Sequence, residues 1–445
     1  MINKQPESTE HIDFDTMMNE QVTEVSRGSW TDPAMYDLEQ KRIFTKTWIF
    51  LGHETEIPNP GDYVTRYMGE DPVILVRSEG GQVRAFHNSC SHRGTPVCRA
   101  DIGNASHFRC PYHGWTYKNS GELNGIPLGA DIYGKSLKMK EWGLLPVTRL
   151  ESYAGLVFGN WDPEAPSLDE FLGESKWHMD LLFKRTPQGT EVVGTPQRWL
   201  MQANWKGAAD NFAGDAYHTL YLHRSMTELG MTPPDPRFGM YGHQVVADDG
   251  AGLGFGMLTF LPGAPKPPYF ALPEEMDPHF RQALSPDQYE ELRNLLTFHG
   301  SVFPNFSWLN VTLADTRDKP PASFLRIATW VPKGPHQMEV WTWLLVEKEA
   351  PQWWRERTKD VYLHTFGSSG MFEQDDSEIW SMITETNRGT IGRQRHFNFY
   401  LGVDTPLDKD YKGPGQAYSH GYVEAGHRKF YRLWKQYMKG EGLKG

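Results

Sequence analysis

Cysteine and histidine are the residue types in this chain whose spacing most narrows the chemistry. One string reads Cys90-Ser91-His92-Arg93-Gly94, and a second reads Cys110-Pro111-Tyr112-His113-Gly114-Trp115. Each offers one thiolate and one imidazole from a tight turn. Two such turns facing each other across a β scaffold suit a [2Fe–2S] cluster in which two cysteines hold one iron and two histidines the other. Imidazole in place of thiolate removes negative charge and raises the reduction potential. Gly94 and Gly114 permit the turns that bring backbone N–H groups near the cluster sulfurs. The other reading is a zinc ion on two cysteines and two histidines. Usual zinc spacings pair like with like, whereas each short motif here mixes the two types. Cys98, between the motifs, reads as a small buried hydrophobe.

A second set of candidate donors lies downstream, in Asn204-Trp205-Lys206, then Asp210-Asn211-Phe212, then Asp215-Ala216-Tyr217-His218 and on to His223. Two neutral imidazoles and one carboxylate on one face of Fe(II) leave positions open for O₂. The carboxylate must come from elsewhere, and Glu373-Gln374-Asp375-Asp376 is the best source. Residues five apart lie about 140° from each other on an ideal helix. Joint ligation therefore predicts a local break, of a widened π-like kind, around Thr219–Leu222.

The elements that must position these residues are legible in outline. Residues 15–47 read as helical, with Thr31-Asp32 as a cap and Pro33 in the first turn. From Trp48 to Trp161 short β-rich runs alternate with Gly, Asn and Pro turns, which predicts a small antiparallel β domain. Beyond it, helices are expected over Leu168–Phe183, Trp205–Leu229, Pro286–Phe298, Pro351–Gly367 and Phe372–Asn387. Strands are expected over Ser307–Leu313, Ala322–Val331 and Met338–Val346. Thr232–Pro273 reads as loops. Gly250–Gly256 within it misses the dinucleotide-binding spacing and reads as a flexible loop. The fold class is therefore α+β, divided into an N-terminal helical segment (1–47) packing on the catalytic domain, a β domain (48–162) and a larger catalytic domain (163–445).

Bulk composition excludes several roles. The net charge of −11 disfavours nucleic acid as a partner. No apolar run is long enough for a membrane span, and the polar start carries no secretory signal. Three cysteines confined to positions 90–110 argue for metal rather than disulfides, so a cytoplasmic location is expected.

The two cysteine–histidine strings closely resemble the Rieske signature of ring-hydroxylating oxygenases, and the 204–223 string is similar to the catalytic segment of their large subunits. Gly61–Val64, Arg84–Cys90 and Phe303–Asn305 add to the likeness, which runs from about Trp48 to Trp380. It is strongest to bacterial dioxygenases of polycyclic or substituted aromatics. The resemblance implies a β Rieske domain plus a catalytic domain whose large antiparallel sheet grips helices. It assigns Cys90 and Cys110 to one iron of the cluster and His92 and His113 to the other. It makes His218, His223 and Asp376 the ligands of a mononuclear Fe(II), with Asp375 the weaker choice.

Asp215 is implied to bridge His218 and His113 of a neighbouring subunit, the alternative being an aspartate bonding within its own turn. Asn211 is expected near the iron without ligating it. Phe212, Thr219, Leu220 and Phe366 are candidates for an apolar substrate pocket by position, with plain core packing equally open to each. The implied reaction takes electrons from a ferredoxin and an NAD(P)H-dependent reductase by way of the cluster, and adds both atoms of O₂ to an arene, giving a cis-dihydrodiol. The implied assembly is a trimer of large subunits, commonly with three small β subunits in a three-plus-three hexamer. The alternatives are a Rieske monooxygenase or demethylase, or a dioxygenase of an aromatic carboxylate such as a phthalate.

Overall fold

The structure is a computed structural model that describes residues 12–230, 237–259, 263, 269–316 and 318–443. It is α+β, with antiparallel strand pairing throughout. The first half holds three small sheets. One has the strand order Val83–His87, Asp71–Arg77, Asp62–Met68, Ile102–Asn104. A second joins Arg149–Tyr153, Leu156–Asn160 and Ile49–His53. A third, His107–Arg109, Thr116–Lys118 and Leu123–Gly125, leads into and out of the second cysteine–histidine string. The central run Val73–Val76 is buried on both faces, which its unbroken aliphatic sequence dictates. Met68 pairs with Asp71 across a two-residue turn, and Gly69 supplies the positive φ of +61° that this turn needs.

The second half is built on a nine-stranded sheet. Its main path runs Thr190–Val192, Met338–Glu347, Ala322–Pro332, Phe306–Leu313, Leu295–Val302, Gly252–Thr259, Gly242–Val246, Gln416–Tyr418, and Gln197–Met201 also pairs with Met338–Glu347. Every residue of Ala322–Pro332 is buried. Helices Trp205–Asn211, Gln352–Thr365 and Ala425–Met438 cover the sheet, and Met371–Arg388 packs against the first two of these. None of the helices among the described residues is long and apolar enough to cross a membrane.

Several elements differ from the sequence expectation. Residues 15–47 are only partly helical: Glu24–Ser26 pairs as a strand with His396–Asn398, and true helix is confined to Gly28–Thr31, Pro33–Glu39 and a π-wound turn at Gln40–Phe44. The Asp32 cap is formed, its side chain accepting from Ala34 N at 2.9 Å. Leu168–Phe183 is two helices, interrupted at Gly173 with φ +50°. The helix from Pro286 ends at Asn294, and Leu295 begins a strand because Thr297 and Phe298 pair with Val311 and Asn310. Within Thr232–Pro273, residues 232–236, 260–262 and 264–268 lie outside the described residues, but Gly242–Val246 and Gly252–Thr259 are strands. The glycine-rich run is therefore no flexible loop. Leu253, Phe255 and Met257 alternate with Gly252, Gly254 and Gly256, and Cβ atoms at those glycines would come within 2.5 Å of Ser175 Oγ, 1.9 Å of Ala213 O and 1.9 Å of His299 Nε2. The glycines are bare so that neighbouring elements can lie against the backbone.

The N-terminal segment is locked to the catalytic sheet's helices through one buried acid. Glu39 accepts from Lys206 Nζ at 2.6 Å, Trp205 Nε1 at 2.9 Å and Trp434 Nε1 at 2.7 Å. Glu39 and Lys206 are both buried, and burial drives the Lys206 ammonium down from its ordinary pKa. Glu39→Ala strands that ammonium and two indole N–H groups. The expected loss is about 3–5 kcal/mol of stability, read from the urea unfolding midpoint.

Candidate metal centres

The two cysteine–histidine strings fold as matching turns. Gly94 N donates to Cys90 O at 2.8 Å and Gly114 N to Cys110 O at 3.0 Å, with glycine φ of +78° and +72°. Cys90 N and Cys110 N in turn donate to Thr95 O and Trp115 O. The His92 and His113 rings stand 4.5 Å apart, and His92 stacks on Trp115 at 4.8 Å with 5° between planes. Tyr117, which the motif did not single out, brings its hydroxyl to 3.1 Å from Cys90 Sγ and accepts from Ser91 N. Burial pushes the Cys90 thiol up, and the neighbouring Cys110 adds to this. Burial and the His113 imidazole hold His92 down. Cys98 faces Ala100 O instead.

His92 Nδ1 is buried without a hydrogen-bond partner, as a nitrogen reserved for a metal would be. Yet no three of the four donors come within 4.8 Å of one another, a closeness reached only by His218, His223 and Asp376 among the described residues. A single tetrahedral zinc at bond lengths of about 2.0–2.3 Å requires that closeness. A group with two metals does not, so the spread donors fit a binuclear cluster.

At the second centre the helix starting at Trp205 stops at Asn211. The chain turns through Gly214, makes a 3₁₀ turn over His218–Leu220 and resumes helix at Arg224–Glu228. The continuous helix expected over Trp205–Leu229 is thus absent. The break falls close to where the five-residue spacing demands one, but it begins earlier and is a tightened turn rather than a widened one. Its effect is to point both imidazoles at one acid. His218 Nε2 lies 3.5 Å and His223 Nε2 3.4 Å from Asp376 Oδ1. That oxygen is buried and has no hydrogen bond. An acceptor desolvated in this way, facing two imidazole nitrogens, fits a cation.

The far nitrogens are also engaged. His223 Nδ1 lies 3.2 Å from Asp375 Oδ2, and His218 Nδ1 3.5 Å from Asp215 Oδ2. A carboxylate behind each imidazole fixes its tautomer and leaves Nε2 to the centre. Asp375 thus sits behind His223 and outside the donor triad. The paired acids Asp375-Asp376 carried that signal, since adjacent helical residues diverge by about 100°. His218 N also donates to Asp215 Oδ1 at 3.1 Å, and Asn211 Nδ2 lies 3.4 Å from both Asp215 Oδ2 and His218 Nδ1. Burial pushes His218 down, but Asp215 and Asp376 outweigh it and raise the imidazole to about 9. Burial likewise pushes Asp215 up, and His218 pulls it well below the usual carboxylate range.

The three donors open on a cavity of about 160 Å³. Phe212, Thr219 and Phe366 line it, with Leu309, Val311 and Leu313 from the sheet. Leu220 does not; it packs outside against Ala216, Leu258 and Tyr422. No Lys or Arg is among the lining residues.

The Rieske [2Fe-2S] domain family matches residues 47–139, and the ring hydroxylating alpha subunit catalytic domain family matches residues 168–440. Fold and site therefore define a Rieske non-haem iron oxygenase, with a [2Fe–2S] cluster and a mononuclear iron as its cofactors. The chain is 36% identical to benzene 1,2-dioxygenase subunit alpha of Pseudomonas putida over 435 residues, covering 96% of this chain and 93% of the relative. It is 36% identical to biphenyl 2,3-dioxygenase subunit alpha of Rhodococcus jostii over 441 residues, covering 96% and 91%. Naphthalene 1,2-dioxygenase from Rhodococcus sp. superimposes with a TM-score of 0.91 at 46% identity, covering 94% and 95%. The chain belongs to the alpha subunits of the aromatic-ring-hydroxylating dioxygenases, multicomponent oxidoreductases that need electron-transfer partners.

His299 on the cavity wall gives a pH prediction. Burial holds its imidazole down to about 4, while an unfolded histidine titrates near 6.5. Between those values only the unfolded chain takes up the proton, so this residue's contribution to stability is lost as pH falls from about 6.5 to 4. His299→Asn is expected to flatten the acid limb of the thermal midpoint against pH by one proton. An unchanged slope would mean that the native imidazole is already charged.

Proposed function

We propose that the chain is the terminal oxygenase subunit that converts an apolar aromatic hydrocarbon of one or two rings to a cis-dihydrodiol. One observation carries this reading: an apolar cavity free of Lys and Arg, opening on two imidazoles and a bare carboxylate oxygen. An apolar cavity of about 150 Å³ accommodates a benzene-sized ring, and this one measures about 160 Å³. A substrate carboxylate would meet no Lys or Arg in it, which disfavours the phthalate-type alternative. Cys90, Cys110, His92 and His113 would hold the cluster, and His218, His223 and Asp376 the iron. When bound, these groups supply single electrons and the activation of O₂.

The protein's own part is orientation and exclusion of water. Phe212 and Phe366 present flat apolar faces to the ring. Asp375 and Asp215 fix the imidazoles, and Asn211 braces Asp215. Asp215 is part-exposed, and its carboxylate is free to accept from His113 of the partner subunit in a head-to-tail ring. Exposed aromatics flank both ends of that contact: Tyr112 beside His113 at 65% exposure, and Tyr217 and Tyr221 beside His218 at 53% and 79%. The assembly we favour is a trimer of these chains with small β subunits, supplied by a ferredoxin and an NAD(P)H-dependent reductase in the cytoplasm. The working domain division is 1–47, 48–162 and 163–445.

With ¹⁸O₂ and a panel of arenes, product carrying two labelled atoms on adjacent carbons is expected. One labelled atom would favour the monooxygenase alternative. Asp376→Ala is expected to abolish product while the visible spectrum of the cluster persists. Asp215→Asn is expected to retain both metals yet slow turnover by about ten- to a hundredfold, measured as the rates of cluster reoxidation and product formation in a single turnover.

A further inference from the structure

Beneath the aromatic wall of the cavity lies a charge that the chemistry above does not use. Arg326, in the strand Ala322–Pro332, is fully buried. Its Nη1 donates to Glu373 Oε2 at 2.5 Å, and Glu373 is 1% exposed. Glu373 lies in the first turn of the helix Met371–Arg388, three residues before Asp376, and so on the same helical face. The guanidinium carbon is 5.7 Å from the ring centre of Phe212 and 5.6 Å from that of Phe366. Phe366 stacks on Phe372 at 5.2 Å, and Phe372 meets the His223 ring at 4.8 Å. One side chain thus bears on the helix carrying Asp376, on the segment entering His218 and, through two rings, on His223.

The pair is sparsely bonded. Arg326 Nε and Nη2 and Glu373 Oε1 are buried without hydrogen-bond partners. Apolar residues of the same volume would give at least as stable a core, so stability does not account for the pair. A single directional bond between sheet and helix does something apolar packing cannot: it sets the rotation and depth of the helix.

We propose that the Arg326–Glu373 clasp is a positioning device for the iron site, holding the helix Met371–Arg388 so that Asp376 Oδ1 meets both imidazole Nε2 atoms. This rests on the reading of His218, His223 and Asp376 as the iron ligands. The test uses the full chain with its cluster loaded. Three variants are compared with wild type: the double variant Arg326→Met with Glu373→Leu, Glu373→Asp, and Glu373→Gln. Cluster absorption and the thermal midpoint report folding. Fe(II) affinity, by competition with a chelator, and the electron paramagnetic resonance of the nitric oxide complex report the iron site.

The double variant is expected to keep its cluster spectrum and to bind Fe(II) about ten- to a hundredfold more weakly, with a broadened, multi-component nitric oxide signal. Glu373→Asp keeps the charge but falls one methylene short, and is expected to shift in the same direction. Glu373→Gln keeps length and acceptor, and is expected to fall between these and wild type. Wild-type affinity with a single wild-type signal in the folded double variant overturns the proposal. If the double variant loses its cluster, Glu373→Asp decides by the same criterion. The ligand reading fails separately, if Asp376→Ala leaves Fe(II) affinity unchanged.

Discussion

Asp376 Oδ1 is buried, faces two imidazole nitrogens at 3.4 and 3.5 Å, and accepts no hydrogen bond. A carboxylate oxygen desolvated in that way is costly unless a proton or a cation completes it. Much of the catalytic half can be understood from this one constraint. The helix from Trp205 has to end early so that His218 and His223 can turn towards one point. Each imidazole then needs an acceptor behind it, which Asp215 and Asp375 supply. The helix carrying Asp376 is in turn fastened to the sheet by Arg326 and Glu373. Polar groups in an apolar interior are arranged here in layers, each orienting the one nearer the cavity.

The first centre obeys a different constraint. Its two turns are copies of one hydrogen-bonding scheme, and their donors are spread too widely for a single ion. The stack of His92 on Trp115 and the contact of Tyr117 with Cys90 surround the thiolate and one imidazole with aromatic rings. His113, on the same turn as Cys110, remains exposed.

What could be read from the sequence was decided by locality. The cysteine–histidine turns are short-range objects, and their residue types and glycines specify them directly. The convergence of His218, His223 and Asp376 was reached by resemblance and by the angular argument about residues five apart. The form of the break, a 3₁₀ turn after an early stop at Asn211, was not accessible because tertiary contacts choose it. The choice between pocket and core for Leu220 stays open in the sequence for the same reason: in a distorted segment, helical spacing no longer tells which way a side chain faces. The strand Gly252–Thr259 was missed because glycine is a weak strand former, although Leu253, Phe255 and Met257 held the period of two. Arg326 and Glu373 gave no sign in sequence. Their pairing joins a strand to a helix 47 residues away, and each alone is an ordinary charged residue.

That glycine-bearing strand has an evolutionary corollary. One face of it lies against His299, Ala213 and Ser175 with no room for a Cβ, so His299, which lines the cavity, is backed by bare backbone and a side chain at Gly256 would displace it. Diversification of substrate range in descendants of this protein is easier at the other lining positions, where Phe212, Phe366 and the aliphatic residues of Phe306–Leu313 can be exchanged for others. The enzyme has, in effect, one lining imidazole held from behind and several lining side chains open to exchange.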